Sequence, residues 1–220
     1  IFKEIKLFQF IQLKFFDKKI LYNLSSYSAM ALFSAISGPL IYIFLRNHLI
    51  NTAGIDVAGY WESMSRISSY YMLFVSSLIS MYFLPQLAVS NKEETKLIFR
   101  NYYKTIVPIF LVGIILIYFT RNLIISLLFT KEFQPVTTLF FWQLAGDFFK
   151  VCSWVLALHF LVKRETIAYF VSEIFSYSTL IIVGYFAINH FDAEGAVLAH
   201  AATYFCYFTL LLIVFNKKMQ

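Results

Sequence analysis

The sequence predicts an all-α integral membrane protein with six transmembrane helices. The first observation is composition, because 60% of the 220 residues are hydrophobic and only 14% are charged, whereas soluble domains carry about 25% charged residues. The second is the length of the apolar segments, since about 20 residues in a helix cross a hydrocarbon core about 30 Å thick. The third is that the polar intervals between these segments are short, which leaves no room for a soluble domain.

A single lobe is predicted over residues 20–218, preceded at 1–19 by a cytoplasmic interfacial helix or linker that mixes lysine with phenylalanine and isoleucine. Gly38 and Pro39 are expected to interrupt the first transmembrane segment, because proline removes a backbone hydrogen bond. Pro85 is expected to end the second. The six segments cover about 21–45, 60–84, 106–128, 137–161, 166–188 and 195–215.

The basic residues predict the orientation of the chain. Apart from Arg66 and Lys150, thirteen lysines and arginines are assigned to one side of the membrane and three (Arg46, Arg121 and Lys131) to the other. The side richer in Lys and Arg is normally cytoplasmic, so both ends of the lobe are predicted in the cytoplasm. The net charge of +6 therefore indicates membrane topology and anionic lipid headgroups, and no nucleic-acid partner is expected.

The stretch from Phe140 to Leu161 is the one around which the chain is organised. It is long enough to span a bilayer, yet it carries Gln143, Asp147 and Lys150 at positions i, i+4 and i+7, which form one stripe on a helix. Charge facing lipid is unfavourable, so the stripe is expected to face protein or water. We therefore predict that this helix lines a polar cavity.

Three further ionisable residues fall inside predicted segments. Arg66 follows Glu62 by four residues, the favourable order for an ion pair on a helix. Glu173 lies among serines in the fifth segment. Each could line the cavity, but purely structural alternatives remain open. Asp147 and Lys150 could neutralise each other, Arg66 could simply pair with Glu62, and Glu173 could be protonated and hydrogen-bonded.

No catalytic or metal-binding pattern is present. Cys152 and Cys206 fall inside apolar segments without a Cys/His cluster, so neither a metal site nor a disulfide is expected. His159 and His200 are expected to be packed, hydrogen-bonded helix residues. Without a hydrolase, metalloprotease, P-loop or dinucleotide motif, the chain is predicted not to be an enzyme and to need no cofactor. Polar stripes within a helical bundle favour a transporter.

Two stretches resemble a known family. GYWESMSRISSYYMLFVSSLISMYFLPQL (59–87) and LLFTKEFQPVTTLFFWQLAGDFFKVCSWVLA (127–157) resemble the Wzx-type flippases of lipid-linked oligosaccharides. These include the lipid III and O-antigen translocases of the MOP exporter superfamily, which is related to the MATE exporters. The resemblance extends over about residues 21–215 and is most specific in the two quoted stretches.

The resemblance implies a six-transmembrane-helix lobe like the C-terminal half of a twelve-helix MATE-like transporter in the bacterial inner membrane. A longer protein would supply the missing N-terminal six-helix lobe. The implied function is the flipping of an undecaprenyl-diphosphate-linked oligosaccharide, a lipid III or O-antigen unit, from the cytoplasmic to the periplasmic leaflet. It belongs to the synthesis of surface polysaccharides such as lipopolysaccharide and enterobacterial common antigen, with membrane lipids and a polysaccharide polymerase complex as further partners.

For the site, the resemblance implies that Arg66 and Lys150 engage the diphosphate or anionic sugars. Asp147 and Glu173 become candidates for proton or cation coupling, and Gln143 lines the cavity beside them. One alternative is a MATE-like cation-coupled exporter of small molecules, in which an acidic cavity would dominate. Another is a non-transporting membrane scaffold, in which the polar stripe would be buried against a partner.

Overall fold

The computed structural model describes residues 18–219, with side chains placed for residues 24–216, and this part of the chain is almost entirely helical. The interfacial segment predicted at 1–19 lies outside the described residues except for its last two. The helices are α1 (Lys18–Ala53), α2 (Ile55–Leu78), α3 (Leu84–Val89), α4 (Lys92–Leu128), α5 (Val136–Val162) and α6 (Thr166–Met219), with a π-helical turn at Ile79–Phe83 and a 3-10 turn at Lys131–Phe133.

Five helical stretches are long and apolar enough to cross a membrane. This confirms the predicted class, an all-helical multi-pass membrane protein. The number differs from the six predicted segments because the last stretch holds two of them. The five stretches are Leu24–Ala53, Ile55–Val89, Lys92–Leu128, Val136–Val162 and Thr166–Asn216.

Helix α6 reverses direction at Asp192. Its backbone leaves the helical region there, with φ 49° and ψ −128°. A Cβ atom on Gly195 would lie 2.1 Å from the carbonyl oxygen of Ala187, although eight residues in a straight helix are about 12 Å apart along the axis. The hydroxyl of Tyr207 also reaches the carboxylate of Glu173, at 3.3 Å. The 54 residues of α6 therefore form two antiparallel arms of similar length.

Replacing Asp192 by glycine is expected to stabilise the protein by about 1 kcal/mol. A positive φ in this region is strained for a residue with a Cβ atom, and glycine adopts it freely. The measurement is the midpoint of thermal unfolding of the detergent-purified protein. Glu194→Gly is the matched control. This exposed residue has helical backbone just after the turn, so glycine should destabilise the helix there by about 1 kcal/mol. Equal losses in both variants would contradict a strained turn.

The prolines do not end helices where the sequence predicts. Helix α1 continues through Pro39, so the predicted interruption is wrong; in membrane proteins neighbouring groups can satisfy the backbone atoms that proline frees. The predicted end at Pro85 is also wrong, because the π-helical turn Ile79–Phe83 leads directly into α3. Pro85 cannot donate to the carbonyl of Met81 one turn earlier, and a wider π turn accommodates that loss.

Helix α5 lies at the centre of the bundle. In the most apolar 18-residue stretch of α5, 44% of the residues are buried, against 11% in that of α4. Helix α5 packs against α2, α4 and α6. Two adjacent tyrosines of α4 fix its position, since Tyr102 donates to the carbonyl of Val151 at 2.8 Å and Tyr103 to that of Cys152 at 2.6 Å. The helix with the predicted polar stripe is thus the most buried of the membrane-spanning stretches.

Candidate polar cavities and charged clusters

The carboxylate of Asp147 is fully buried and surrounded by hydrogen-bond donors. Its Oδ2 accepts from the hydroxyl of Ser68 at 2.6 Å and from that of Tyr71. Its Oδ1 lies 2.9 Å from Nε2 of His200. Nε2 of Gln143 donates to Oδ2 at 3.3 Å. We call these five residues the Asp147 cluster. It joins α2, α5 and α6 at one point, because its members come from all three helices.

The Asp147 carboxylate has donors on both oxygens and connects three helices. Asp147 has no exposed surface, and every partner except Gln143 comes from another helix. The close approach of α5 to α6 beside it depends on Gly146, where a Cβ atom would lie 2.3 Å from Cδ2 of His200. The polar stripe predicted from the sequence therefore divides, with Asp147 in the interior and Gln143 and Lys150 reaching open space.

Lys150 lies where two cavities meet. Its Nζ is 5.3 Å from the ring centroid of Tyr204, a favourable cation–π arrangement. No carboxylate oxygen of the described residues lies within 4 Å of that nitrogen, so Asp147 and Lys150 do not form the direct ion pair that was one alternative. Lys150 and Tyr204 line both cavities.

The larger of these two, the α1–α2 cavity, has a volume of about 340 Å³. It lies among α1, α2, α5 and α6. Tyr42 and Trp61 stack in its wall with ring centroids 4.6 Å apart. Its polar lining includes Ser65, Ser69, Gln143, Lys150, Tyr177 and His200.

The smaller, the α5–α6 cavity, has a volume of about 190 Å³ and contains Glu173. The Glu173 carboxylate accepts from the hydroxyl of Ser34 at 3.2 Å and from that of Tyr207 at 3.3 Å. Ser34 also shares a hydrogen bond with Tyr169, at 2.5 Å. Glu173 is therefore hydrogen-bonded, as one structural alternative proposed, and it also faces open space.

Arg66 lies apart from both cavities, on the surface of α2. Its guanidinium donates to Oε1 of Glu62 at 2.7 Å, and the Arg66 side chain is 70% exposed. The other oxygen of Glu62 accepts from Arg46 of α1 at 3.2 Å. We call these three residues the Arg46–Glu62–Arg66 cluster. Two guanidinium groups on one carboxylate leave a net positive charge and unused N–H donors on this surface.

The structure therefore brings together some of the residues singled out in the sequence. Gln143 and Lys150 share one cavity, and Lys150 and Glu173 share the other. Arg66 is in neither, and Asp147 is enclosed. Within the described part of the chain no group of three His, Cys, Asp or Glu residues could hold a metal ion.

Several important neighbours were missed in the sequence. Arg46 looked like a loop residue beyond the first predicted segment, although it belongs to α1 and pairs with Glu62. His200 is hydrogen-bonded, as expected, and what the sequence did not indicate is its partner Asp147, 53 positions away. No local spacing could have identified that pair. Tyr204 and Tyr207 carry no local pattern that distinguishes them in a sequence with 15 tyrosines and 26 phenylalanines.

Comparison with known proteins supports the predicted resemblance. The chain is 29% identical over 201 residues to the lipid III flippase of Escherichia coli strain K12, and the same identity and span are found for the lipid III flippase of Shigella flexneri. The chain is similar to lipid III flippases. This confirms the resemblance to Wzx-type flippases expected from its sequence. Both relatives are named for transport, not for a catalysed reaction.

The matched region covers 90% of this chain and 48% of each relative. The chain therefore spans about half the length of the curated relatives it matches. No protein-family profile matches the chain. No solved structure matches it either.

Proposed function

We propose that this chain forms one lobe of a flippase that moves a lipid-linked oligosaccharide across the bacterial inner membrane. The observation that carries the proposal is its similarity, over 90% of its length, to relatives named lipid III flippase. The proposed substrate is an undecaprenyl-diphosphate-linked oligosaccharide, such as a lipid III or O-antigen unit. Lys150, half-buried between two cavities of a membrane-spanning bundle, supports this assignment because the substrate carries an anionic diphosphate.

The lobe is proposed to cross the membrane six times, like one half of a twelve-helix MATE-like transporter. Each arm of α6 holds about half of its 54 residues, more than the roughly 20 needed for one crossing. Counting both arms, the helices return the chain to its starting side. The excess of basic residues on that side favours the cytoplasm for both ends.

Cationic groups are proposed to guide the diphosphate at two places. The Arg46–Glu62–Arg66 cluster offers exposed guanidinium donors, and Lys150 offers an ammonium group at the junction of the two cavities. Outward movement of a substrate with about two negative charges is favoured by a negative cell interior. At about 2.3 kcal/mol per charge for each 100 mV, the potential contributes about 4–5 kcal/mol.

Among the candidate coupling residues, Glu173 is better placed than Asp147. Glu173 lines a cavity and accepts two long hydrogen bonds, so its oxygens have capacity for a proton or cation. Asp147 is enclosed by donors. Its neighbour Gln143, which donates to the carboxylate, lines the α1–α2 cavity. This arrangement weighs against a cation exporter built on Asp147, because that carboxylate is not open to a cationic drug.

The proposal is tested by replacing Lys150 with glutamine in the full-length protein. We expect surface display of the glycan to fall at least tenfold in cells that depend on this protein, because a hydrogen bond to a charged group contributes about 1.5–3 kcal/mol. Arg66→Gln should reduce display less, since Arg46 remains. The control is Lys96→Gln, which removes a lysine paired with Glu93 on the exposed start of α4. Unchanged display in Lys150→Gln, at normal membrane abundance, would contradict the proposed role.

A further inference from the structure

The α5–α6 cavity has the size of a site for one small ring. Its volume of about 190 Å³ is below the roughly 300–1,000 Å³ of sites for drug-sized ligands. The cavity is partly open and lies between α5 and the two arms of α6. An oligosaccharide could therefore place only one of its rings here.

Aromatic side chains form much of the cavity wall. The rings of Trp154, Tyr204 and Tyr207 line it, and Tyr204 is already covered by the ammonium group of Lys150. Trp154 is half-buried and packs partly against the hydrophobic core. Its indole makes no hydrogen bond, stacked-ring contact or cation contact with the residues that the structure describes. The N–H donor and the part of the ring that lines the cavity are therefore available to a ligand. The C–H face of a sugar ring carries partial positive charge, which complements the negative face of an indole.

The polar groups of the cavity include both signs of charge. Glu173 has about four acceptor positions, of which two receive hydrogen bonds longer than 3 Å. Lys150 supplies three donors and has no carboxylate within 4 Å in the described chain. Each sugar hydroxyl both donates and accepts hydrogen bonds, so it can donate to the Glu173 carboxylate and accept from the Lys150 ammonium group. The diphosphate group is disfavoured in this cavity, because Glu173 would repel it. Lys150 can meet the diphosphate from the α1–α2 cavity instead, which Glu173 does not line.

We propose that the α5–α6 cavity binds a single sugar ring of the lipid-linked substrate, stacked on Trp154 and hydrogen-bonded by Glu173 and Lys150. The inference rests on the proposed function and assigns the sugar and the diphosphate of the substrate to different sites. The sugar occupies a cavity with both charges, whereas the Arg46–Glu62–Arg66 cluster, which carries net positive charge, attracts the diphosphate. Trp154 and Glu173 then set the preference for the sugar, and Arg66 does not.

The test places a photoreactive p-benzoylphenylalanine at Leu161, which lines the cavity, in the full-length protein in living cells. The control carries it at Phe119 of α4, a side chain that is 76% exposed. After irradiation, mild acid cleaves the bond between sugar and diphosphate, and mass spectrometry identifies what stays on each labelled peptide. We expect a sugar mass at position 161 and none at position 119.

Two substitutions sharpen this test, each made together with the probe at position 161. Trp154→Leu and Glu173→Gln should each lower the yield of the sugar adduct at least tenfold. Trp142→Leu, which removes an outward-facing indole of the same helix, should leave that yield unchanged. Glu173→Gln keeps the shape of the side chain, so a loss of adduct at normal membrane abundance reports recognition and not misfolding.

The remaining outcomes separate this inference from the proposed function. A prenyl or phospholipid mass at position 161, or no adduct, would overturn the sugar site while leaving the Lys150→Gln result to decide flipping. A sugar adduct that carries no prenyl diphosphate before acid treatment would support the cavity as a sugar site. That same result would overturn the lipid-linked substrate, and with it the proposed function.

Discussion

Gly146→Ala is expected to destabilise the protein by about 3 kcal/mol, although it adds only one methyl group. A Cβ atom at this position would lie 2.3 Å from Cδ2 of His200 and 3.0 Å from the backbone nitrogen and Cα of Ala201. The His200 side chain could rotate away, but it would then leave Asp147. The backbone of Ala201 can move only if α6 moves away from α5. Overpacking of this kind generally costs about 1–3 kcal/mol, and the backbone contacts place this site at the upper end.

The chain contains a matched control for this substitution. Gly113 also lies inside a helix, α4, and a Cβ atom there would meet nothing within 4 Å. Gly113→Ala should be neutral or slightly stabilising, because alanine has the higher helix propensity. Both variants add the same group to a helical glycine, so the difference between them reports the contact between α5 and α6.

The measurement is the midpoint of thermal unfolding in detergent, together with the abundance of each variant in the membrane. Gly146→Ala should unfold at a clearly lower temperature than the unaltered protein, with Gly113→Ala close to it. Equal midpoints for the two variants would contradict the close packing of α5 against α6 at this position. Such a result would also remove the structural basis for the His200–Asp147 contact.

The class of fold and the importance of α5 could be predicted from the sequence. Long apolar segments report the membrane environment directly, because every stretch that crosses a bilayer must satisfy its own backbone hydrogen bonds. The stripe of Gln143, Asp147 and Lys150 predicted that one side of α5 faces protein or water, since a charge facing lipid is unfavourable. Both properties depend on single segments and can be recognised from local composition and periodicity.

The partners of these residues could not be predicted, because they depend on how the helices pack. Asp147 and Lys150 are three residues apart, yet one is enclosed by donors from α2 and α6 and the other faces two cavities. Periodicity places both on one side of α5 and cannot separate them. Arg66 illustrates the same limit, because its pairing with Glu62 is local while the contribution of Arg46 comes from another helix.

Asp147→Ala is expected to have the largest effect on stability of any substitution considered, about 3–5 kcal/mol. The aspartate is the shared acceptor of the Asp147 cluster. Its removal leaves the buried hydroxyl of Ser68 and the half-buried hydroxyl of Tyr71 and imidazole of His200 without their acceptor. Removing one partner from a buried charged interaction generally costs about that much, because the polar groups left behind lose a strong acceptor that water replaces only in part. Asp147→Asn should cost less, since the amide oxygen still accepts from some of these donors.

A double-mutant cycle on Asp147 and His200 tests whether the two residues act together. If the 2.9 Å contact stabilises the fold, then His200→Ala should have a much smaller effect in the Asp147→Asn background than in the unaltered protein, with a coupling of about 0.5–3 kcal/mol. Glu93→Ala serves as the control carboxylate, because its ion pair with Lys96 is exposed and should contribute little. Additive effects of the Asp147 and His200 substitutions would contradict a shared cluster. Strong coupling would instead make the Asp147 cluster the contact that holds α2, α5 and α6 together and keeps Lys150 at the junction of the two cavities.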